Sequence, residues 1–592
     1  MRLITSGERV DRAEIDQKEL ASTEIGRRTA VVMTWFFIAM LAVVPISQAG
    51  LEFSQGQAPQ ALKLFAPVSN AWIALWQGGL RKASAAFHPI LTRQFLVSFQ
   101  DDLEQKSGLK NFFQPRVQGI LSGPLGYGNH QVVLGRGGWL FYQPGLNYAT
   151  GPDITSKGTI QNTVRELSIQ GGDHAPNPDA RPALLELNRD LKEAGIRLIV
   201  MPVPDKAVME PARLTSRLDR STPVSAFENR GFARLVSGLR AQGVEVFDCS
   251  PAETSANDTR YLEQDTHWTP QFMEQTARAL AQRIQLMAVL PKPADQGSMR
   301  LQQQRVTNLG DLVRMLKLKP DQSIFAPQTA TIHQVVDAAS GQPWKPDHLA
   351  DLLLMGDSFV NIYSQPSLGW GRAAGFAEHL SYALDRPLDV IALDGGGSSS
   401  TRVELARRDN IERLAAKRIV IFEFAERDLL GQDWLPAPLP IADLMAAVRN
   451  RPEATIPKLT APAAESAVGR TVPHKPGYTA RNEELIVTAR IVKTSQVPAP
   501  ETAPYDDCLT YLKLSIERIE SGHYDKREII VVFVAMRDHV LLPPARFAVG
   551  DRLRMKLIPM RRAGDEIQSM QRADNLDDLD LRPFFSVETS RQ

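Results

Sequence analysis

The sequence predicts an α/β protein: a doubly wound, mostly parallel sheet, with an N-terminal transmembrane helix before it and a small all-β domain after it. Three observations lead there. Helix-like and strand-like segments alternate from about residue 180 to 425, the pattern that lays parallel strands between crossover helices. An uncharged run over 29–51 is long enough to span the hydrocarbon core of a bilayer. Past a stretch rich in Pro and Ala, the chain turns to strand-length apolar segments.

Taken in order, residues 1–28 mix acids with bases and read as a solvated cytoplasmic tail. Residues 29–51 read as a signal-anchor. Arg27 and Arg28 stand directly before the run and the next basic residue is Lys63, so the N-terminus is expected in the cytoplasm and the remainder outside it. Ser47-Gln48-Ala49 has the small-x-small form of a cleavage site, which keeps a cleaved signal peptide as the alternative; the long, charged leading segment favours the anchor. Residues 52–125 read as a helical stalk, and 126–435 as the main domain. That domain opens on a hairpin, Val132 to Tyr142, turning through Gly135-Arg136-Gly137-Gly138. Leu184, Leu187, Leu191 and Ala194 recur at helical spacing over 182–195, and a strand follows over 196–201. The pattern repeats as a helix over 227–243 and a strand over 244–247. A helix over 270–286 precedes a polar, Pro-containing insertion that runs to about residue 350. Strands over 352–355 and 388–393, a helix over 402–417 and a strand over 418–424 complete the sheet. Residues 436–482 read as a Pro/Ala-rich linker. Residues 483–592 read as an all-β domain of unassigned role, with strands over 484–491, 509–519, 529–536 and 552–558.

Bulk composition excludes some functions. With 68 basic and 67 acidic side chains, the chain has no long-range field to gather nucleic acid, and none is expected as a partner. Cys249 and Cys508 lack metal-ligand spacing. Two unpaired thiols are expected, a single long-range bridge being the alternative in an oxidising compartment. No metal site or cofactor is predicted.

Chemistry concentrates in two short segments. The predicted strand over 352–355 runs into Gly356-Asp357-Ser358-Phe359, placing Ser358 at a strand's carboxyl end. There a tight turn presents a hydroxyl, and the following backbone N–H groups can face a developing oxyanion. The second segment is Asp265-Thr266-His267-Trp268-Thr269-Pro270, where Thr269 caps a helix that has Pro at its first position. In extended backbone residues i and i+2 share a side, so Asp265 and His267 can stand together. A serine needs an adjacent base, and the histidine needs an acid to orient it. Asp357 reads as structural, bonding its own turn. Gly395, Gly396 and Gly397, after another strand, either offer backbone donors or form a plain strand-to-helix turn.

These pieces resemble the SGNH-type acyltransferases of the alginate O-acetylation family, AlgJ and AlgX. The resemblance covers roughly residues 126–430. It is carried by the Gly135-to-Phe141 opening, Pro204-Asp205-Lys206, Asp265-Thr266-His267-Trp268, Gly356-Asp357-Ser358-Phe359 and Glu426-Arg427, in that order. The resemblance implies an SGNH hydrolase-like domain facing the periplasm from a single-pass inner-membrane anchor. It implies an acetyl group received from a multi-spanning membrane acyltransferase partner and placed on hydroxyls of an exported polysaccharide. Ser358 would be the nucleophile, His267 the base and Asp265 its orienting acid. Trp268 and Tyr142 can stack on sugar rings and Arg427 can pair with a uronate, with packing and salt bridging as the competing roles; Lys206 is in the same position. Asn361 is the asparagine nearest the serine, without the form of a clear oxyanion donor. A polysaccharide esterase and a non-catalytic scaffold of a secretion complex remain the other readings.

Overall fold

The computed structural model describes residues 26–54, 56, 59, 107–170, 175–217, 227–249, 259–291, 297–450, 484–500, 503, 505–574, 576 and 578–591. Nearly all of the expected cytoplasmic tail, most of the expected stalk and residues 451–482 of the expected linker lie outside them.

The helix Arg27–Ser54 carries Pro45 within it and leaves Trp35, Phe36 and Phe37 exposed. Among the described residues it is the one helix long and apolar enough to cross a membrane. Residues from Arg116 onward form a separate compact unit.

That unit opens on an antiparallel hairpin, β1 (Val132–Leu134) with β2 (Leu140–Tyr142). Next come β3 (Arg197–Val203) and the two-residue edge strand β4 (Glu245–Val246). The segment expected as a polar insertion is instead an antiparallel ribbon, β5 (Met299–Asn308) against β6 (Gln328–Asp337). Ten register pairs hydrogen-bond the facing backbone groups of the two strands, so its polar side chains need not disqualify it as sheet. Then follow β7 (Leu352–Gly356), β8 (Asp389–Ala392) and β9 (Ile419–Ala425). The central sheet has the order β4-β3-β9-β7-β8 and all of its pairings are parallel.

Burial on both faces explains why β7 is continuously apolar and β9 is apolar but for Glu423. Leu352, Leu354, Ile419 and Ile421 face one core with Phe272, Met273 and Leu280 of the helix Pro270–Leu286 and Phe376 and Leu380 of the helix Phe376–Leu384. Leu353, Met355, Val420 and Phe422 face the other, with Leu184, Leu187, Leu235 and Leu414. Each such fully buried side chain contributes roughly 1.5–3 kcal/mol, which makes this sheet the rigid platform of the molecule. The helix expected over 402–417 is split into Ser400–Ala406 and Ile411–Ala415. Asn410 Nδ2 donates to the Glu404 carbonyl at 2.6 Å, taking an acceptor that a continuing helix would need.

The C-terminal strands are β10 (Leu485–Thr494), β11 (Cys508–Ser521), β12 (Glu528–Arg537), β13 (Val540–Leu541), β14 (Arg552–Pro559), β15 (Gln571–Ala573) and β16 (Pro583–Arg591). The ring β10-β11-β12-β16-β14 closes on itself, since β11 pairs with both β10 and β12. β12 is apolar from Ile529 to Met536 because both its faces are covered: Ile529, Val531 and Phe533 fill the barrel, while Ile530 and Val532 pack outward against Tyr511 and Met560. The barrel is anchored to the α/β core through buried charge. Arg572 Nη1 lies 2.6 Å from Glu404 and Arg407 pairs with Asp574, the two guanidiniums flanking the Tyr511 ring. Cys249 and Cys508 are both buried and free, so no bridge joins them.

Candidate active site

Every segment singled out for chemistry in the main domain meets at one end of the central sheet. Lys206 follows β3, Ser358 follows β7, Asp394 to Gly397 follow β8 and Arg427 follows β9. These are the carboxyl ends of parallel strands, where open α/β sheets bind ligands. Gly356 is required by close approach: a Cβ there would lie 2.4 Å from Val360 Cγ2 and 2.5 Å from Glu423 Oε2.

Ser358 Oγ lies 2.8 Å from His267 Nε2, and His267 Nδ1 lies 2.6 Å from Asp265 Oδ1. The second Asp265 oxygen accepts from Trp370 Nε1 at 2.8 Å and from the Asp311 backbone at 3.1 Å. All three relay side chains are buried, Ser358 completely. Thr269 caps the helix Pro270–Leu286 through Phe272 N, holding the segment that carries His267. Lys206 is buried and donates to the Glu263 and Asp265 carbonyls at 2.8 and 3.0 Å; burial pushes its ammonium down to about 7. It braces the backbone beneath Asp265.

Electrostatics at the relay pull in opposite directions. Burial disfavours charge on both partners, yet the hydrogen bond and opposite charge of His267 hold Asp265 below its ordinary range. The same bond raises His267 above its own, against the burial penalty. Burial raises Asp311, whose carboxylate sits 3.8 Å from His267 Nδ1 and accepts from Thr266 Oγ1. Ligand atoms of Asp265, His267 and Asp311 lie within 4.8 Å of one another, the spacing of a cation site. In this arrangement Nδ1 is already engaged by Asp265, so a metal bound there would replace that contact.

For several candidates the packing or salt-bridge role prevails over contact with a ligand. Trp268 is fully buried, with Phe359 and Phe376 centroids both 5.3 Å away; it packs the core beneath His267 and cannot stack on a sugar. Arg427 donates to Asp205 at 3.1 Å and lies over the half-buried Tyr142 ring at 5.5 Å, so Arg427 is occupied by Asp205 and Tyr142. The N–H groups after the serine are also committed: Phe359 N donates to Asp357 Oδ1 at 2.8 Å and Val360 N to the Asp357 carbonyl at 3.1 Å. Gly396 N donates to the Leu393 carbonyl at 2.8 Å. Asn361 Nδ2 donates to Asp394 at 2.9 Å, and burial raises the Asp394 carboxyl to about 7. Gly397 is buried against Asp428, whose Oδ2 would lie 2.1 Å from an added Cβ.

Three contacts escape the sequence reading. Asp311 arrives from the β5–β6 connection, Trp370 from the loop after Ser358, and Tyr505 from the segment leading into β11. Tyr505 OH donates to Ser358 Oγ at 2.6 Å. No local signal marks any of them, because each depends on long-range packing. A cleft of about 200 Å³ opens beside the relay, lined by Asp265, His267, Asp311 and Asp394 on one side and by Tyr505 and Asp538 on the other.

Known proteins match this chain over the same region. Residues 132–426 match the family model described as the SGNH hydrolase-like domain of the acetyltransferase AlgX. The probable alginate O-acetylase AlgJ of Pseudomonas aeruginosa is 25% identical over 362 residues, covering 59% of this chain and 83% of that one. The Azotobacter vinelandii protein of the same name is 23% identical over 396 residues, covering 64% and 91%. Among solved structures, the O-acetyltransferase domain of Pseudomonas putida AlgJ aligns at 24% identity over 53% of this chain and 99% of its own, with a TM-score of 0.39. Pseudomonas aeruginosa AlgX aligns at 16% identity over 78% and 90%, with a TM-score of 0.34.

Proposed function

This chain belongs to the AlgJ/AlgX-type family of SGNH hydrolase-like acyltransferases, and from that premise we propose that it O-acetylates hydroxyls of an exported polysaccharide through an acetyl-Ser358 intermediate. The observation that carries the reading is the continuous contact from Ser358 Oγ through His267 to Asp265. Ser358 attacks the acetyl carbonyl while His267 Nε2 takes its proton and passes it to the leaving group. A sugar hydroxyl then attacks the acetyl-serine, giving its proton to His267, which returns it to Ser358 Oγ. Asp265 keeps Nδ1 protonated and stabilises the imidazolium. The helix Arg27–Ser54 serves as an inner-membrane anchor, placing the relay in the periplasm, where a multi-spanning acyltransferase delivers the acetyl group.

Transfer and hydrolysis share the acyl-serine and differ only in whether a sugar hydroxyl or water attacks it. The deciding experiment supplies an activated acetyl ester to the full-length protein in detergent, with and without an oligosaccharide acceptor. Acetylated oligosaccharide is the expected product. Release of free acetate alone, at a rate the acceptor does not change, would identify an esterase instead.

The relay also sets a pH dependence. His267 acts only when neutral, and the Asp265 carboxylate raises its pKa despite burial. The acylation rate is therefore expected to climb with pH through a midpoint above the ordinary imidazole value of about 6.5 and to fall below that midpoint as the ring protonates. A midpoint under that value, in a stopped-flow series, would mean that burial outweighs the carboxylate.

A further inference from the structure

An acyl-transfer site needs a donor aimed at the oxygen that becomes negative when the nucleophile adds. Here three donors that follow Ser358 in the chain are spent. Phe359 N and Val360 N serve the Asp357 turn, and Asn361 Nδ2 bonds Asp394. The Tyr505 hydroxyl, by contrast, touches the serine oxygen itself at 2.6 Å. With His267 accepting from Ser358, the hydrogen bonds run in one direction: Tyr505 O–H to Ser358 Oγ, Ser358 O–H to His267 Nε2, His267 Nδ1–H to Asp265.

The position of Tyr505 is built in. Its ring rests on Gly395, where a Cβ would lie 2.9 Å from Tyr505 Cε2 and where φ is +67°, so a side chain at 395 is excluded by both space and backbone. Asp394 N donates to the Ser569 carbonyl at 3.0 Å, and the buried Arg407–Asp574 and Arg572–Glu404 pairs hold the barrel to the same face. Burial, reinforced by the Asp394 and Asp357 carboxylates, pushes the phenol well above its ordinary range, so the hydroxyl keeps its proton and remains a donor.

From this geometry we infer that Tyr505 is a catalytic residue supplied by the C-terminal β-domain, its hydroxyl donating to the acyl oxygen as charge develops on it during attack by Ser358. The inference rests on the reading of Ser358 as the acetyl acceptor. In the acylation step the Oγ–carbonyl carbon bond forms and the Ser358 proton moves to His267. The hydrogen bond from Tyr505 shifts from Oγ to the carbonyl oxygen. As the leaving group departs with the His267 proton, that oxygen regains its double bond, and Tyr505 neither gains nor loses a proton. The same donor serves the second addition, when the sugar hydroxyl attacks. The barrel thereby becomes part of the reaction centre.

The test compares full-length wild-type protein with Tyr505→Phe and Tyr505→Ala, using p-nitrophenyl acetate as acyl donor and thermal unfolding as the fold control. Tyr505→Phe keeps the ring and removes the donor, so kcat is expected to fall about 10²- to 10³-fold with KM little changed. Tyr505→Ala is expected to lose as much despite opening the cleft. Unchanged turnover in Tyr505→Phe, or faster acylation in Tyr505→Ala, would make the tyrosine a cover and overturn the inference, while acetyl-Ser358 in the wild type left the proposed function standing. Absence of acetyl-Ser358 from folded wild-type protein would sink both.

Discussion

Ser358→Ala leaves no acetyl adduct and reduces turnover on the order of 10⁶-fold, the largest effect expected of any single substitution in this chain. The loss follows from what surrounds the hydroxyl. Ser358 is completely buried at the end of β7, between His267 Nε2 and Tyr505 OH, so alanine removes the one atom that both neighbours address. The substitution deletes an oxygen and adds no bulk, and the α/β core that holds the position is untouched. Intact-mass analysis after incubation with an activated acetyl ester is the measurement. Wild-type protein should gain the mass of one acetyl group and the variant none. An adduct of equal yield in both would place the nucleophile elsewhere, and Ser358 would then be a structural hydroxyl at a helix start.

Asp265→Asn is expected to lower turnover about 10⁴-fold without unfolding the protein, because it inverts a tautomer. Asp265 Oδ2 accepts from Trp370 Nε1 and Asp311 N, so in the variant the amide oxygen is drawn to that side. The amide nitrogen then faces His267 Nδ1 and donates to it. With Nδ1 an acceptor, the ring's proton sits on Nε2, where it can no longer take the serine's. The burial that makes Asp265 costly to ionise also makes its hydrogen-bond pattern hard to evade. Steady-state kcat with thermal unfolding as a control measures it. A loss below tenfold would mean that Asp311, 3.8 Å from Nδ1, takes over as the orienting acid.

Much of this site is local and therefore legible along the chain. The Thr269–Pro270 cap, the i and i+2 placement of Asp265 and His267 and the strand-to-turn passage into Ser358 are set by neighbours within a few residues. Alternating helical and strand periodicity likewise marks the crossover pattern, because each element repeats its own apolar spacing. The β5–β6 ribbon hides from such a reading because β5 is mostly polar and exposed and shows no apolar alternation, although β6 buries Ile332 and Val335. Its sequence exposes Gln302, Gln303 and Gln304, and only the ten-pair register makes it a sheet.

Residue type and short spacing along the chain are enough to nominate Ser358, His267 and Asp265 as one cluster, and to mark an apolar N-terminal span and a parallel sheet. Which groups complete the site is a matter of long-range packing. Trp268 passes from candidate sugar platform to core residue because a ring's exposure depends on what folds over it, here Phe359 and Phe376. Arg427 is claimed by Asp205, 222 residues away in sequence, and Tyr505 reaches Ser358 across 147. Contacts at such separations carry no periodicity and no motif. The pairing of β3 with β9 brings Asp205 to Arg427, and the buried ion pairs between barrel and α/β core bring Tyr505 to Ser358.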